Sequence, residues 1–158
     1  MRNVSEDTTI QVGPQAVYDA VSDVKRMGRW SPECTGASVS GEGGPAYPGM
    51  HFRGHNRKGA VRWWTQCRVT VAEPGECFAF EVRSGGLPIS RWTYTLQPDG
   101  DATRVTERWD DLRGGVAAAV LSAVSVLLMG VRDRAVRNRE TMRVTLDRLK
   151  ADLEGATV

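Results

Sequence analysis

In the run TRVTERWD, Glu107 is the residue of this chain best placed to do chemistry. Residues 103–110 alternate as a β-strand does, and the alternation that sends Val105 and Trp109 to one face sends Glu107 there too. A carboxyl group on an apolar face must be paired, hydrogen-bonded or protonated. It could hold a ligand's polar group or act as a general acid or base. Equally, it could pair with an arginine such as Arg132 or Arg134, or satisfy a backbone defect. Asn56, Thr65 and Tyr94 fall on the inner faces of neighbouring runs, and each can donate and accept hydrogen bonds. They could orient a polyphenol or a keto group, or satisfy one another and ordered water.

Other chemistries find no support. His51 and His55 have the spacing of a helical metal pair, but on a strand four residues span about 13 Å, too far to share one ion. There is no GxSxG elbow, no phosphate-cradling glycine loop and no dinucleotide fingerprint, and Gly41 to Gly44 is a turn without a helix behind it. Neither a metal nor a cofactor is expected. Cys34, Cys67 and Cys77 show no CxxC spacing and are odd in number, which suits reduced, small buried side chains in an intracellular protein.

The elements that must position these residues follow from punctuation and period. Residues 7–12 alternate as a strand, and Gly13-Pro14 ends it and opens a helix that sets Val17, Val21 and Val24 on one side. Asp23 is placed to cap a second short helix from Val24, which Gly28 and Pro32 end. Turn signals then divide the chain into strands near 34–41, 49–57, 60–72, 77–84, 88–97 and 103–110, an antiparallel meander. The pair Arg-Trp recurs at 29–30, 62–63, 91–92 and 108–109. In the three strand copies parity turns Trp inward and Arg outward. Inward also fall Met50, Phe52, Gly54 and Asn56; Val61, Trp63, Thr65, Cys67, Val69 and Val71; Phe78, Phe80 and Val82; and Trp92, Tyr94 and Leu96.

Residues 132–154 form an amphipathic helix with Ala135, Met142, Leu146, Leu149 and Leu153 as its apolar positions. Before it, residues 114–131 carry no charge and approach the ~20 residues of a membrane span. Gly115, Ala118, Ser122 and Ser125 recur at helical spacing, however, so the stretch reads as a buried or interface helix without stable membrane insertion, kinked at Gly130. As an interface it would favour a homodimer.

With 158 residues, 41% of them hydrophobic, the chain is one domain able to close a core around a modest cavity. A net charge of +2, interspersed along the chain, makes nucleic acid an unexpected partner. The N-terminus lacks the pattern of a secretory signal, so a cytoplasmic protein is expected. The excess of arginine over lysine suits a GC-rich bacterial, actinobacterial genome.

The chain resembles the SRPBCC, or START-like, superfamily, nearest the bacterial polyketide cyclase/dehydrase and lipid-transport group. The likeness is carried by VYDAVSDVKRMGRWSPEC at 17–34, PGMHFRGHNRKG at 48–59, TRVTERWD at 103–110 and VRDRAVRNRETMRVTLDRL at 131–149. It implies an α+β helix-grip fold, a curved antiparallel seven-stranded sheet around a long C-terminal helix in the order β-α-α-β6-α, with a deep apolar cavity between them. Trp30, Phe52, Asn56, Trp63, Thr65, Cys67, Phe78, Phe80, Trp92, Tyr94 and Trp109 would then meet a hydrophobic small-molecule ligand, lipid-like or polyketide-like. Trp30 would sit at the entrance. The alternatives are a cyclase or dehydratase that uses Glu107 as its acid or base, and an interaction module working through 114–131.

Overall fold

The computed structural model describes residues 2–41, 44–114 and 134–155. Seven strands form one antiparallel sheet: β1 (Asn3–Ile10), β2 (Cys34–Val39), β3 (His51–Lys58), β4 (Val61–Glu73), β5 (Cys77–Ser84), β6 (Leu87–Asp99) and β7 (Ala102–Asp111). Their order across the sheet is β1-β7-β6-β5-β4-β3-β2, so β2 to β7 are successive neighbours and β1 closes against the last strand. Helix α1 (Pro14–Ser22) and a 3-10 helix (Val24–Arg29) join β1 to β2, and α2 (Arg134–Gly155) follows β7. The curved sheet and its C-terminal helix make the helix-grip fold.

Strand β1 begins and ends earlier than its alternation suggests. Its ladder with β7 runs from Asn3↔Asp110 to Ile10↔Thr103, and long-range pairing outweighs the local pattern that points to 7–12. Val12 leaves the ladder, and its carbonyl accepts a hydrogen bond from Thr103 Oγ1 at 2.8 Å. Val17 and Val21 of α1 and Val24 of the 3-10 helix are all buried, as their spacing requires. The second helix is a 3-10 helix rather than an α-helix, and the Asp23 side chain does not cap it. Instead the Asp23 carbonyl accepts from the Arg26 N–H at 2.9 Å.

A bulge in β4 between Val69 and Val71 corrects one parity expectation. Val69 faces Phe80 while Val71 faces Ala79, so Thr70 is the extra residue. One inserted residue reverses the faces beyond it. Ala72, opposite Phe78, therefore joins the core in place of Val71. Val61 borders the cavity as its parity requires but, at the hairpin end, is 45% exposed.

Helix α2 buries Asn138, Met142, Thr145, Leu146 and Leu149 on the side facing the sheet. Charged groups fasten it to both ends of the structure. Glu6 of β1 meets Arg139 and Arg143 at 3.3 and 3.2 Å, and Asp152 meets Arg29 at 2.8 Å. Apart from Gly114, the uncharged stretch 114–131 lies outside the described residues, so the kink at Gly130 and the interface reading lie there too. No helix among the described residues is long and apolar enough to cross a membrane.

Gly28 is where the 3-10 helix touches β2. A Cβ added there would come 2.5 Å from the Thr35 carbonyl oxygen and 2.6 Å from its carbonyl carbon. Backbone meets backbone, so relief requires one element to move. Gly28→Ala is expected to cost about 1–3 kcal/mol, measured as a lower urea midpoint at unchanged m-value. A wild-type midpoint would show that the two elements are not held at this distance.

Candidate ligand-binding cavity

Three rows of cross-strand pairs build one wall. Trp109 faces Trp92, which faces Phe80. One step along, Glu107 faces Tyr94, which faces Phe78. One step the other way, Val82 faces Cys67, which faces Phe52. Thr65 and Gly54 continue beside Cys67, and Trp63 lies opposite Asn56 nearer the hairpin end. Leu149, Thr145 and Thr141 of α2 form the opposing wall, and Trp30, which ends the 3-10 helix, closes one side. Between the walls is a cavity of about 810 Å³, within the usual range for drug-sized ligands.

Of the residues singled out from sequence, Trp30, Phe52, Asn56, Trp63, Thr65, Cys67, Phe80, Trp92, Tyr94, Glu107 and Trp109 line this space. Phe78 does not. It is fully buried, edge-on to Tyr18 with ring centroids 6.5 Å apart. Its row runs to the part of the sheet that α1 covers, so inward parity places it in the core beside the cavity rather than in the cavity wall. Gly54 keeps part of the wall open, since a Cβ there would meet Thr65 Oγ1 at 3.0 Å.

The polar groups are arranged unevenly. Tyr94 Oη donates to Glu107 Oε1 at 2.9 Å, while Glu107 Oε2 is buried without a partner. This corrects the arginine pairing. Arg134 instead approaches Glu33 at 3.6 Å, and Arg137 Nε donates to Glu33 at 2.8 Å. Arg132 lies outside the described residues. Burial raises the Glu107 carboxyl from 4.5 to about 8, against the lowering effect of the Tyr94 hydroxyl. At neutral pH the carboxyl is chiefly neutral, and a protonated Oε2 is a hydrogen-bond donor.

Elsewhere the wall offers little reactivity. Burial pushes the Cys67 thiol up to about 11, so it stays protonated and a poor nucleophile. Thr145 Oγ1 donates to the Thr141 carbonyl within the helix at 2.8 Å. Asn56 Nδ2 makes a long contact with the Gly54 carbonyl at 3.4 Å. Trp30 Nε1 is buried without an acceptor. His55 meets Ser38 at 2.8 Å, and the described residues contain no group of three metal-ligating side chains close enough to hold an ion.

Sequence reasoning missed Glu33 and the three helix residues Thr141, Thr145 and Leu149 as parts of this wall. Leu149 was legible as an apolar position. The threonines repeat at i, i+4 on the same side, a small-polar stripe of the kind that leaves room between a helix and a sheet.

Residues 1–154 match the profile of the family described as polyketide cyclase / dehydrase and lipid transport. The chain belongs to this family. Among solved structures, a Polyketide_cyc-like protein of Corynebacterium glutamicum shares 29% identity at a TM-score of 0.61, over 97% of this chain and 94% of that one. A protein of Deinococcus radiodurans shares 14% identity at a TM-score of 0.68, over 98% and 99%. The di-domain ARO/CYC StfQ of the steffimycin biosynthetic pathway shares 13% at 0.69, and there 98% of this chain spans 45% of the larger protein. The last two likenesses concern the fold alone. A search of curated proteins gives no match. Membership in the polyketide cyclase / dehydrase and lipid transport family accounts for the architecture and leaves the chemistry to the residues of the cavity.

Proposed function

We propose that this protein binds a hydrophobic or aromatic small molecule, lipid-like or polyketide-like, in the cavity between sheet and α2. The observation that carries the reading is a cavity of about 810 Å³ walled largely by aromatic and aliphatic side chains, with two buried acids in its wall, Glu33 paired with Arg134 and Arg137 and Glu107 hydrogen-bonded to Tyr94. Trp63, Trp92 and Trp109 offer flat apolar surface to a ring system. Hydrophobic burial supplies the affinity, and the neutral Glu107 carboxyl with Tyr94 marks where a ligand carbonyl or hydroxyl is received. The names of StfQ and of the family are in keeping with such a ligand.

Native mass spectrometry of freshly purified protein, followed by organic extraction, tests this. A stoichiometric hydrophobic adduct is expected. At a ligand concentration a hundredfold above Kd, the extracted compound is expected to stabilise the protein by about 2.7 kcal/mol. A bare mass, with no thermal shift from apolar ring compounds or fatty acids, would refute the binding reading.

A second reading is favoured by one specific observation, the unpartnered Oε2 of a carboxyl whose pKa lies near 8. An acid so poised suits proton transfer in a cyclase or dehydratase, in which the cavity holds a poly-keto chain in a reactive conformation. Glu107 would protonate a carbonyl or hydroxyl oxygen, and its carboxylate would take up a carbon-bound proton.

A further inference from the structure

The β3–β4 hairpin carries an asymmetry that the cavity does not use. From Gly44 to Ala72 there is no Asp or Glu, while Arg53, Arg57, Lys58, Arg62 and Arg68 all fall within that span. The chain as a whole is +2, so the remainder is net acidic and the positive charge is concentrated on this one hairpin. Arg53, Arg57, Arg62 and Arg68 are exposed.

The hairpin also projects. Its ladder extends to Lys58↔Val61, whereas β4 first meets β5 at Gln66↔Arg83, so residues 61–65 reach past the neighbouring strand. On that projection Val61 is 45% and Trp64 53% exposed. At the same end of the sheet the β5–β6 turn presents Leu87, 59% exposed. The Arg53 guanidinium lies 4.2 Å from the centre of the Trp64 ring. Arg57 and Arg62 face each other directly across the ladder, an arrangement of like charges that costs stability unless an anion joins them. Together with Thr35, His55 and Trp64 they border a shallow depression. Val61 and Trp64, exposed as they are, also line the main cavity, so the cavity opens at this end of the sheet.

From these features we infer that the β3–β4 hairpin is a docking surface for an anionic lipid bilayer, which it meets with the cavity mouth turned toward the lipid. The arginines supply attraction to acidic headgroups. Trp64, Val61 and Leu87 supply the apolar and amphipathic contacts that settle at the boundary between headgroups and acyl chains. The exposed aliphatic side chains Val61 and Leu87, which offer no face for a base to stack on, distinguish this surface from one for nucleic acid, and the shared positive charge opposes pairing with a second copy. The inference stands whether the cavity carries its ligand or converts it.

Co-sedimentation of the full chain with phosphatidylcholine vesicles, with and without phosphatidylglycerol, tests the assignment. Binding is expected only with phosphatidylglycerol and is expected to weaken as salt is raised. Each cation near an acidic surface contributes roughly fivefold in affinity, so Arg57→Ala with Arg62→Ala is expected to lose roughly 30-fold. Trp64→Ala is expected to weaken binding without altering its salt dependence. Arg104→Gln, which removes an exposed cation on β7, is expected to bind as wild type. Absence of binding to phosphatidylglycerol vesicles would overturn the inference. So would full binding by the double variant with an unchanged thermal transition. Dimerisation lost in Trp64→Ala, or retention on a single-stranded oligonucleotide, without vesicle binding, would assign the hairpin to another partner and overturn it equally.

Discussion

Glu107→Gln is expected to flatten the pH dependence of stability between about pH 4.5 and 8. The Glu107 carboxyl has its pKa raised from 4.5 to about 8 by burial, so the folded state holds this proton more tightly than the unfolded chain. The stabilisation is fully present below pH 4.5 and is lost as pH rises through 8. The difference across the window is up to about 5 kcal/mol. Glutamine keeps the shape and an acceptor for Tyr94 but has no proton to lose. Urea denaturation at a series of pH values should show the two proteins diverging, with the variant the more stable above pH 8. Parallel profiles would mean that Glu107 ionises in the fold as readily as in water. The same variant separates the two functional readings: retained ligand binding with lost turnover belongs to an acid-base role.

Phe78→Ala is expected to cost about 3–5 kcal/mol without changing which ligands the cavity accepts. Phe78 is fully buried among Tyr18, Phe80 and Tyr94, so its removal leaves a void in the core under α1. Phe80 is also buried but borders the existing cavity, and Phe80→Ala therefore enlarges a space already present. Thermal or urea unfolding gives the cost, and competition between ligands of different size gives the specificity. A change in ligand preference with Phe78→Ala would place that ring in the cavity wall after all.

Much of this architecture was legible because strand parity is a strict period. It put Val105, Glu107 and Trp109 on one face of β7, and Tyr94 and Leu96 on the matching face of β6, before any pairing was known. The partner of Glu107 was also within reach. Gly100 has φ +59°, and the ladder closes at Asp99↔Ala102 around the two-residue turn Gly100-Asp101. A two-residue turn centred on Gly100-Asp101 fixes every pair along the hairpin, including Tyr94 opposite Glu107, whereas centring it on Asp99-Gly100 would set Tyr94 opposite Val105. What could not be read was long-range or irregular. The bulge at Thr70 leaves no local signature in RVTVAE, and Glu33 meets Arg137 across 104 positions of sequence. The start of β1 was hidden because its own alternation is weak and β7 decides where it lies.

That pairing of β1 with β7 sets the order in which the protein can be completed. Strands β2 to β7 can zip hairpin by hairpin as they appear, yet Asn3 has no ladder partner until Asp110 has been made. At ribosomal rates of roughly 5–20 residues per second, β1 waits on the order of ten seconds with an unpaired edge. Its sequence, NVSEDTTI, carries Glu6 and Asp7 at the centre, charges that discourage association with other nascent strands. Those two acids later find Arg139, Arg143 and Arg104. The residues that keep the earliest strand solitary during synthesis are the ones that anchor it once the last elements arrive.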